Sequence, residues 1–287
     1  MLVRYFRPLG HDLVVLHRSS TTDISAALEG SDVCINLAGR SVNCRYGARN
    51  RQEIYESRIG TTRQLHEVMA SLRQPPRVWI NASTATIYRH ALDRPMTESA
   101  GELGGNEPGA PDTWNFSISV AKGWEESFFS KLTPRTRQIA IRSAITFSPD
   151  RGGAFDVLLG LVRCGLGGAQ GSGEQFVSWI HETDFVRAID LLIAREDLSG
   201  FVNVSSPHPL RNREFMHGLR EAWGARLGLP STEWMIELGA WALRTESELV
   251  LKSRRVVPER LLEAGFVFEY PHWPGAAREL VARWPNP

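Results

Sequence analysis

The sequence predicts an α/β protein built on a doubly wound parallel sheet, with a smaller C-terminal lobe. Four short, continuous apolar runs dominate the first half and are typical of strands buried on both faces. Between them, residues 50–72 and 123–132 repeat apolar side chains at helical spacing, which indicates alternation of strands and helices. The predicted strands are residues 13–16, 33–37, 78–82 and 138–141. Residues 1–6 are typical of the end of an amphipathic helix that stops before Pro8 and Gly10.

The character of the sequence changes at about Ser148. Clusters of glycine border a helix predicted around residues 155–162. Further elements follow: a strand at 176–180, a helix at 182–194, a strand at 200–204 and a helix at 212–223. We therefore predict a sheet domain at 1–147 and a substrate lobe at 148–287, some of whose elements return to the main sheet. Residues 91–112, rich in glycine, proline and acids, are predicted to form a surface loop near the active face.

Composition narrows the class of partner. The 33 Lys and Arg residues nearly balance the 32 Asp and Glu residues, which argues against nucleic acid or an anionic membrane and favours a small-molecule substrate. Cys34, Cys44 and Cys164 are odd in number and widely spaced, which indicates reduced thiols rather than disulfides or a metal site. No run approaches the roughly 20 apolar residues of a membrane helix, and no signal peptide is evident. We predict a cytoplasmic protein; the sequence leaves its oligomeric state open.

A turn of small residues follows the second predicted strand. Leu37, Ala38 and Gly39 come directly after it, where a small-residue turn lets a flat ring or a ribose approach the backbone. The alternative is a turn kept small for packing.

Arg18 ends the first predicted strand. At this position a dinucleotide-binding fold reads the adenosine ribose, with an acid for the free hydroxyl or an arginine for a 2′-phosphate. Arg18 therefore favours NADP, although a solvated charge is the alternative.

Hydroxyl groups cluster past the third predicted strand. Ser83 and Thr84 can bind a substrate carbonyl or hydroxyl at the reacting carbon, and the Tyr88 phenol can exchange a proton if a nearby cation lowers its pKa. Alternatively, the hydroxyl groups cap their own backbone. Lys122, at the predicted start of a helix, is either the group that holds a ribose and acidifies this phenol or an ordinary surface charge.

Two charged groups in the second half have simpler readings. His181 and Asp184 could carry acid–base chemistry, but a single His and Asp at helical spacing more often fix a turn. Arg254 and Arg255 near a helix end are predicted to compensate the helix dipole.

Taken together, several segments resemble the extended short-chain dehydrogenases/reductases of the epimerase family, a group sometimes labelled as cell-division inhibitors. The C-terminal segment also resembles that family's C-terminal domain of unknown function. The resemblance covers nearly the whole chain and depends on the order and spacing of its segments. These segments are residues 33–39, 53–62, 83–88, 142–145, 165–168, 171–175, 178–184, 257–266 and 270–271.

The resemblance implies a Rossmann domain that binds NADP(H), with NAD also possible, and a nucleotide-sugar-like or other hydroxylated substrate. It implies cofactor contacts at Leu37, Ala38, Gly39 and Arg58. The substrate contacts it implies are Arg142, Gln175, Trp179 and His181.

The resemblance also implies a catalytic set, in which this chain departs from the wider pattern. A Ser or Thr matching Ser83 or Thr84 orients the substrate hydroxyl, and a Tyr-x-x-x-Lys pair moves the proton. With Lys122 as the lysine, the tyrosine position falls on Ile118, so the pair is broken. We hypothesise that Tyr88 supplies the proton instead.

A second departure concerns the phosphate-binding loop. The family opens with a strand and a Gly-x-x-Gly-x-x-Gly loop, of which only the end of the following helix is found here. We expect a truncated start, the alternative being a true loss of cofactor binding. Both departures also favour a second hypothesis: a non-catalytic, Rossmann-derived binding or regulatory protein, with the link to cell division that the family label suggests.

Overall fold

The computed structural model describes residues 1–17, 22–131, 133–242 and 246–285. Twelve α-helices lie among these described residues: α1 (Leu2–Phe6), α2 (Ile24–Leu28), α3 (Ala48–Tyr55), α4 (Thr61–Ser71), α5 (Asp112–Phe129), α6 (Ala154–Arg163), α7 (Glu182–Ala194), α8 (Asn212–Trp223), α9 (Glu233–Ala242), α10 (Glu248–Leu251), α11 (Glu259–Glu263) and α12 (Trp273–Arg283). The strands of the same part of the chain are β1 (Val33–Asn36), β2 (Val78–Thr84), β3 (Arg137–Ser143), β4 (Ile145–Phe147), β5 (Phe176–Val177), β6 (Trp179–His181), β7 (Gly200–Val204) and β8 (Leu210–Arg211).

The main sheet has four strands in the order β1-β2-β3-β7, all parallel. Helices flank this sheet, so the predicted Rossmann-like α/β class is confirmed. Three of the four predicted strands of the first half are confirmed as β1, β2 and β3. Strands β1 and β2 are neighbours and run parallel, with Asn36 opposite Asn81. Their carboxyl ends therefore lie at the same edge of the sheet.

The predicted strand at residues 13–16 is wrong. Residues 11–17 form no strand, and the side chains of Val14 and Val15 are 63% and 47% exposed. An extended segment is stable only with a partner strand and a face to bury. Among the described residues, no strand offers this segment a ladder, so its apolar sequence alone does not make it a strand.

The helix predicted at 50–72 is confirmed, with one irregular turn. A π-helical turn, Glu56–Gly60, joins α3 to α4. Such widened turns often occur at functional sites because they redirect side chains. Here the turn places Ser57 against the loop after β1, where its Oγ accepts a hydrogen bond from the Arg40 amide at 2.9 Å.

Helix α5 begins earlier than predicted. It starts at Asp112, after Pro111, rather than at residue 123. Pro111 suits this position because it needs no amide donor, and the acidic Asp112 is favourable in the first turn. Lys122 therefore lies in the middle of a long helix and not at its start.

The second half of the chain shares the main core. Strand β7 pairs with β3, as expected for elements that return to the main sheet. Apolar residues of the sheet (Ile80, Ile141 and Val202) pack in one cluster with Leu261 and Phe266 from the C-terminal segment. A second cluster surrounds Trp179, Phe215 and Trp273. The domain division at residue 147 stays a prediction.

Within the described residues, no helix is long and apolar enough to cross a membrane. The same residues hold no cluster of three or more potential metal ligands, and Cys34, Cys44 and Cys164 are free thiols.

Candidate functional site

The small-residue turn after β1 lies at the carboxyl edge of the sheet and is held by two asparagines. The Asn36 side-chain amide donates to Asn81 Oδ1 at 2.6 Å, and Asn36 Oδ1 accepts from the Ala38 amide at 3.0 Å. Leu37, Ala38 and Gly39 are exposed. The turn is thus rigidly positioned and open to solvent, as a surface for a flat ring must be.

Arg58 lies directly against this turn. A Cβ atom added to Gly39 would come within 3.3 Å of the Arg58 guanidinium carbon. The absence of a side chain at Gly39 therefore allows the guanidinium to lie close to the backbone of the turn. The guanidinium also lies over the Trp124 ring, 5.2 Å from its centroid, and donates to the Ile54 carbonyl at 3.2 Å. The predicted cofactor residues Leu37, Ala38, Gly39 and Arg58 are therefore brought together, whereas Arg18 lies outside the described residues.

A short turn after β2 presents hydroxyl groups at the same edge. We call Thr84, Ala85 and Thr86 the hydroxyl turn. Thr84 Oγ1 accepts from the Thr86 amide at 3.2 Å, and both threonines are half-buried. The Thr84 hydroxyl proton has no acceptor among the described residues, so Thr84 can donate to a ligand.

Ser83 points the other way. Its hydroxyl is buried and donates to Glu125 Oε1 at 2.6 Å. Because successive side chains of a strand face opposite sides of a sheet, Ser83 and Thr84 lie on opposite faces. Of the two predicted hydroxyls, that of Thr84 is the less buried.

Tyr88 is enclosed, contrary to expectation. It is 1% exposed, and its hydroxyl donates to Asn203 Oδ1 at 2.9 Å while accepting from Arg142 Nη1 at 2.9 Å. Burial raises the pKa of the Tyr88 phenol, although Arg142 and Asn203 act to lower it. The geometry gives Tyr88 a packing role and does not present its phenol to a ligand.

The broken Tyr-x-x-x-Lys pair is covered by the loop before α5. Ile118 is 1% exposed, and a Cβ atom on Gly104 would come within 2.8 Å of its Cδ1. Lys122 is half-buried, with its Nζ 3.5 Å from where a Cβ atom on Gly105 would lie. The loop thus occupies the space beside Ile118 and Lys122.

The four predicted substrate contacts are internal. Arg142 forms a buried double hydrogen bond with Glu125, at 2.8 and 2.6 Å. Gln175 donates to the Gln170 carbonyl at 2.7 Å and accepts from Ser172, and Trp179 is fully buried against Trp273.

His181 is also fully buried. Its Nδ1 accepts from the Thr183 amide at 3.1 Å, capping α7, and its Nε2 lies 2.8 Å from Glu279. The turn-fixing alternative is therefore the one that fits, since Asp184 also accepts the amides of Glu269 and Tyr270. None of the four predicted substrate residues faces a ligand-accessible surface, because each is enclosed and bonded within the protein.

Sequence reasoning missed a buried charged cluster at the hydroxyl turn. Glu248, Lys252 and Arg254 are 3%, 1% and 5% exposed, and the two cations bond Thr86. Arg254 also lies at the end of α10, where its Nη1 donates to the carbonyls of Glu248 and Lys252 at 3.3 Å, which agrees with its predicted compensation of the helix dipole. The i,i+4 spacing of Glu248 and Lys252 was the available signal.

The glycine clusters do not form a phosphate cradle. The Gly152 amide, just before α6, donates to Asp156 Oδ2 at 2.8 Å, and the Gly105 amide donates to Glu107 Oε2 at 2.5 Å. In each case a carboxylate of the protein occupies the place that a phosphate would take. The described residues therefore offer an exposed small-residue turn that a flat ring or a ribose could approach, whereas the glycine clusters before α5 and α6 offer no comparable site for a diphosphate.

The chain is similar to known proteins in both sequence and structure. Residues 232–280 match a family model described as a domain of unknown function (DUF1731). The chain is 31% identical over 259 residues to the epimerase family protein SAR0825 of Staphylococcus aureus. The aligned region covers 88% of this chain and 80% of that protein.

Two solved structures are also similar. The human epimerase family protein SDR39U1, isoform 2, crystallised with NADPH, has a TM-score of 0.86 and 25% identity, covering 98% of this chain and 95% of that one. A nucleoside-diphosphate sugar epimerase of Corynebacterium glutamicum has a TM-score of 0.67 and 27% identity, covering 90% of this chain and 48% of that one.

Proposed function

Because the chain belongs to the epimerase family, we propose that it is an NADP(H)-dependent epimerase or reductase that acts on a nucleotide-sugar-like or other hydroxylated small molecule. The observation that carries the proposal is the common edge of β1 and β2. There an exposed small-residue turn lies beside a turn that offers a hydroxyl donor. In a doubly wound sheet, ligands bind at the carboxyl ends of the strands.

NADPH in the structure of human SDR39U1 supports the choice of cofactor. When bound, the nicotinamide would supply or accept a hydride. Ala38 and Gly39 would hold the nicotinamide end by close backbone approach, and Arg58 would support the turn from behind. Arg18, outside the described residues, stays the predicted reader of a 2′-phosphate.

Thr84 is the group that we assign to the reacting carbon. Its Oγ1 is fixed by the Thr86 amide, so the hydroxyl proton can be donated to a substrate carbonyl or hydroxyl without loss of orientation. Lys122 comes from α5, which packs against the hydroxyl turn, and would add a positive charge near the site. Tyr88 could take part in proton transfer only if its hydrogen bonds with Arg142 and Asn203 opened.

One observation favours the second candidate, a non-catalytic binding or regulatory protein. The residue at the tyrosine position is Ile118, which is buried and cannot exchange a proton. A binding protein could use the small-residue turn after β1 or the hydroxyl turn to hold a ligand without hydride transfer. The two candidates therefore differ in turnover.

Turnover is tested by incubating the full chain with NADP(H) and UDP-glucose, UDP-galactose or UDP-N-acetylglucosamine. NADPH absorbance reports net reduction, and proton NMR of the sugar reports epimerisation. The enzyme proposal expects one substrate to react, and expects Thr84→Val to slow it by about 10²-fold or more, as loss of one positioned donor does.

Thr146→Val is the matched control, since Thr146 is also half-buried but lies in β4. It should react like the wild type. Binding of a nucleotide sugar with no change in sugar or cofactor would support the binding protein instead. Equal effects of the two Thr→Val changes would remove Thr84 from the proposed site.

A further inference from the structure

Three ionisable side chains of the C-terminal segment meet at the boundary with the Rossmann sheet. We call Glu248, Lys252 and Arg254 the seam cluster. All three are at least 95% buried. Arg254 also bonds carbonyls at the end of α10. In addition, Lys252 and Arg254 bond the hydroxyl turn and Glu248 bonds α5, both far away in sequence, so the cluster joins the C-terminal segment to the proposed site.

The two cations hold one residue of the hydroxyl turn. Lys252 Nζ donates to the Thr86 carbonyl at 2.8 Å, and Arg254 Nε donates to Thr86 Oγ1 at 3.2 Å. The Thr86 amide in turn donates to Thr84 Oγ1. Every polar group of Thr86 is therefore bonded, and the position of the Thr84 hydroxyl depends on this chain of contacts.

Glu248 connects the same cluster to α5. Its Oε2 accepts from Ser117 Oγ at 2.5 Å, and its Oε1 lies 3.9 Å from Lys252 Nζ and 3.4 Å from Arg254 Nη2. Buried charges of this kind contribute little to net stability, because their desolvation offsets their attraction. Their arrangement around a turn with a free hydroxyl points to a role in positioning.

We propose that the seam cluster is the device by which the C-terminal domain of unknown function sets the geometry of the active site, with Lys252 and Arg254 as positioning residues for the hydroxyl turn. This inference rests on the proposed function, because the turn matters only if Thr84 meets a substrate. It assigns to residues 232–280 a task in the reaction of the Rossmann domain rather than a separate activity.

The charge of Lys252 makes this positioning sensitive to pH. Burial lowers the pKa of Lys252 to about 7, and Arg254 acts in the same direction, while Glu248 and Glu107 act to raise it. His90, on the loop after the hydroxyl turn, also faces the cation, and Lys252 contributes to the lowered pKa of His90. As the pH rises through neutrality, the turn loses a neighbouring positive charge that favours negative charge on a bound substrate oxygen.

The chain has only three lysines, Lys122, Lys131 and Lys252, so NMR of ¹³Cε-labelled lysine can follow each one. The signal absent from Lys252→Met belongs to Lys252 and should titrate with a midpoint near 7. The ¹³C-labelled methyl group of Thr86 should show a step with the same midpoint. That step should vanish in Lys252→Met and persist in Lys131→Met, in which an exposed lysine is replaced.

A Thr86 methyl group that shows no step at the Lys252 midpoint overturns the inference. If Lys252→Met fails to fold, the wild-type chain still carries the comparison, because the lysine signal with a midpoint near 7 is the one expected for Lys252 and its midpoint can be set against that of the Thr86 methyl group. NADPH binding is measured on the same sample. If the Thr86 methyl group and Lys252 share a midpoint but NADPH does not bind, the proposed function is contradicted and the positioning role is not. If NADPH binds but the midpoints differ, the positioning role is contradicted and the proposed function is not.

With a reacting sugar in hand, the functional readout is the pH profile of kcat. We expect wild-type kcat to fall as pH rises through the Lys252 midpoint, and Lys252→Met to show a low, flat profile with Kd for NADPH changed less than about threefold. A profile of Lys252→Met that keeps the wild-type inflection contradicts the role of Lys252.

Discussion

Replacing Arg142 by methionine should destabilise the protein strongly and thereby show that Arg142 is structural. Its guanidinium makes two hydrogen bonds to Glu125 and one to the Tyr88 hydroxyl, and it lies 4.0 Å from the centroid of the Phe201 ring. Burial acts to lower the pKa of Arg142, but the bonds to Glu125 raise it. The guanidinium is therefore charged, and its removal leaves the Glu125 carboxylate without a partner charge, which makes the removal costly.

The magnitude follows from what the variant leaves behind. Without Arg142, the Ser83 hydroxyl is the one side-chain donor left to the buried Glu125 carboxylate in the part of the chain that the structure describes. Breaking one partner of a buried ion pair costs about 3–5 kcal/mol. A domain is stable by roughly 5–15 kcal/mol, so this loss is a large fraction of the total.

The assay is urea unfolding followed by circular dichroism, with three variants. Arg142→Met should lower the free energy of unfolding by about 3–5 kcal/mol, and Arg4→Met, which removes an exposed pair with Asp150, should change it far less. The double variant Glu125→Leu/Arg142→Met should be more stable than Arg142→Met, because no uncompensated charge remains. A stable Arg142→Met that has lost ligand binding would refute this reasoning and restore Arg142 as a substrate residue.

Three further predictions concern buried ionisable groups. Tyr88→Phe should cost about 1–3 kcal/mol in urea unfolding, since Asn203 and Arg142 lose a partner; its NADPH affinity should match the wild type, and unchanged turnover would exclude Tyr88 as the proton donor. Because burial lowers the pKa of Lys252 from 10.5 to about 7, the unfolded chain holds more protons above neutrality. Wild-type stability relative to Lys252→Met should therefore rise with pH, by about 2 kcal/mol between about pH 7 and pH 9; a constant difference in urea unfolding would contradict the buried charge. Burial raises the pKa of the Cys34 thiol to about 12, so Cys34 should resist a thiol reagent in the native state, whereas the exposed Cys164 reacts; rapid native labelling of Cys34, located by mass spectrometry, would show that this part of the core opens.

Much of the fold could be predicted from the sequence because it depends on local pattern. The apolar runs at β1, β2 and β3 and the periodicity of α7 and α8 are properties of short segments. The strand predicted at 13–16 failed because a strand also needs a neighbour, which a local pattern cannot provide. Helix α5 begins at Asp112, earlier in the sequence than predicted, because Pro111 and Asp112 are helix start signals that the prediction overlooked.

In the candidate site too, features that depend on local sequence could be predicted, and features that depend on long-range contacts could not. The turn of Ala38 and Gly39 and the hydroxyl of Thr84 follow strands directly, so sequence position was enough to place them at one edge. Arg142 and Tyr88 are polar residues in sequence, yet they bond one another across the interior. Lys252 was missed for the same reason, since its burial depends on Thr86, which is distant in the chain.

Calorimetric titration of NADPH into the full chain tests the central claim most directly, with Gly39→Ala and Gly160→Ala as matched variants. A Cβ atom at Gly39 meets Arg58 within 3.3 Å, whereas one at Gly160, in α6, meets no atom within 4 Å. We predict saturable, submillimolar binding by the wild type and Gly160→Ala, and affinity weaker by about tenfold or more in Gly39→Ala. Absence of NADPH binding by the wild type would contradict the NADP(H)-dependent enzyme, and equal binding by all three proteins would contradict the turn at Gly39 as the cofactor site.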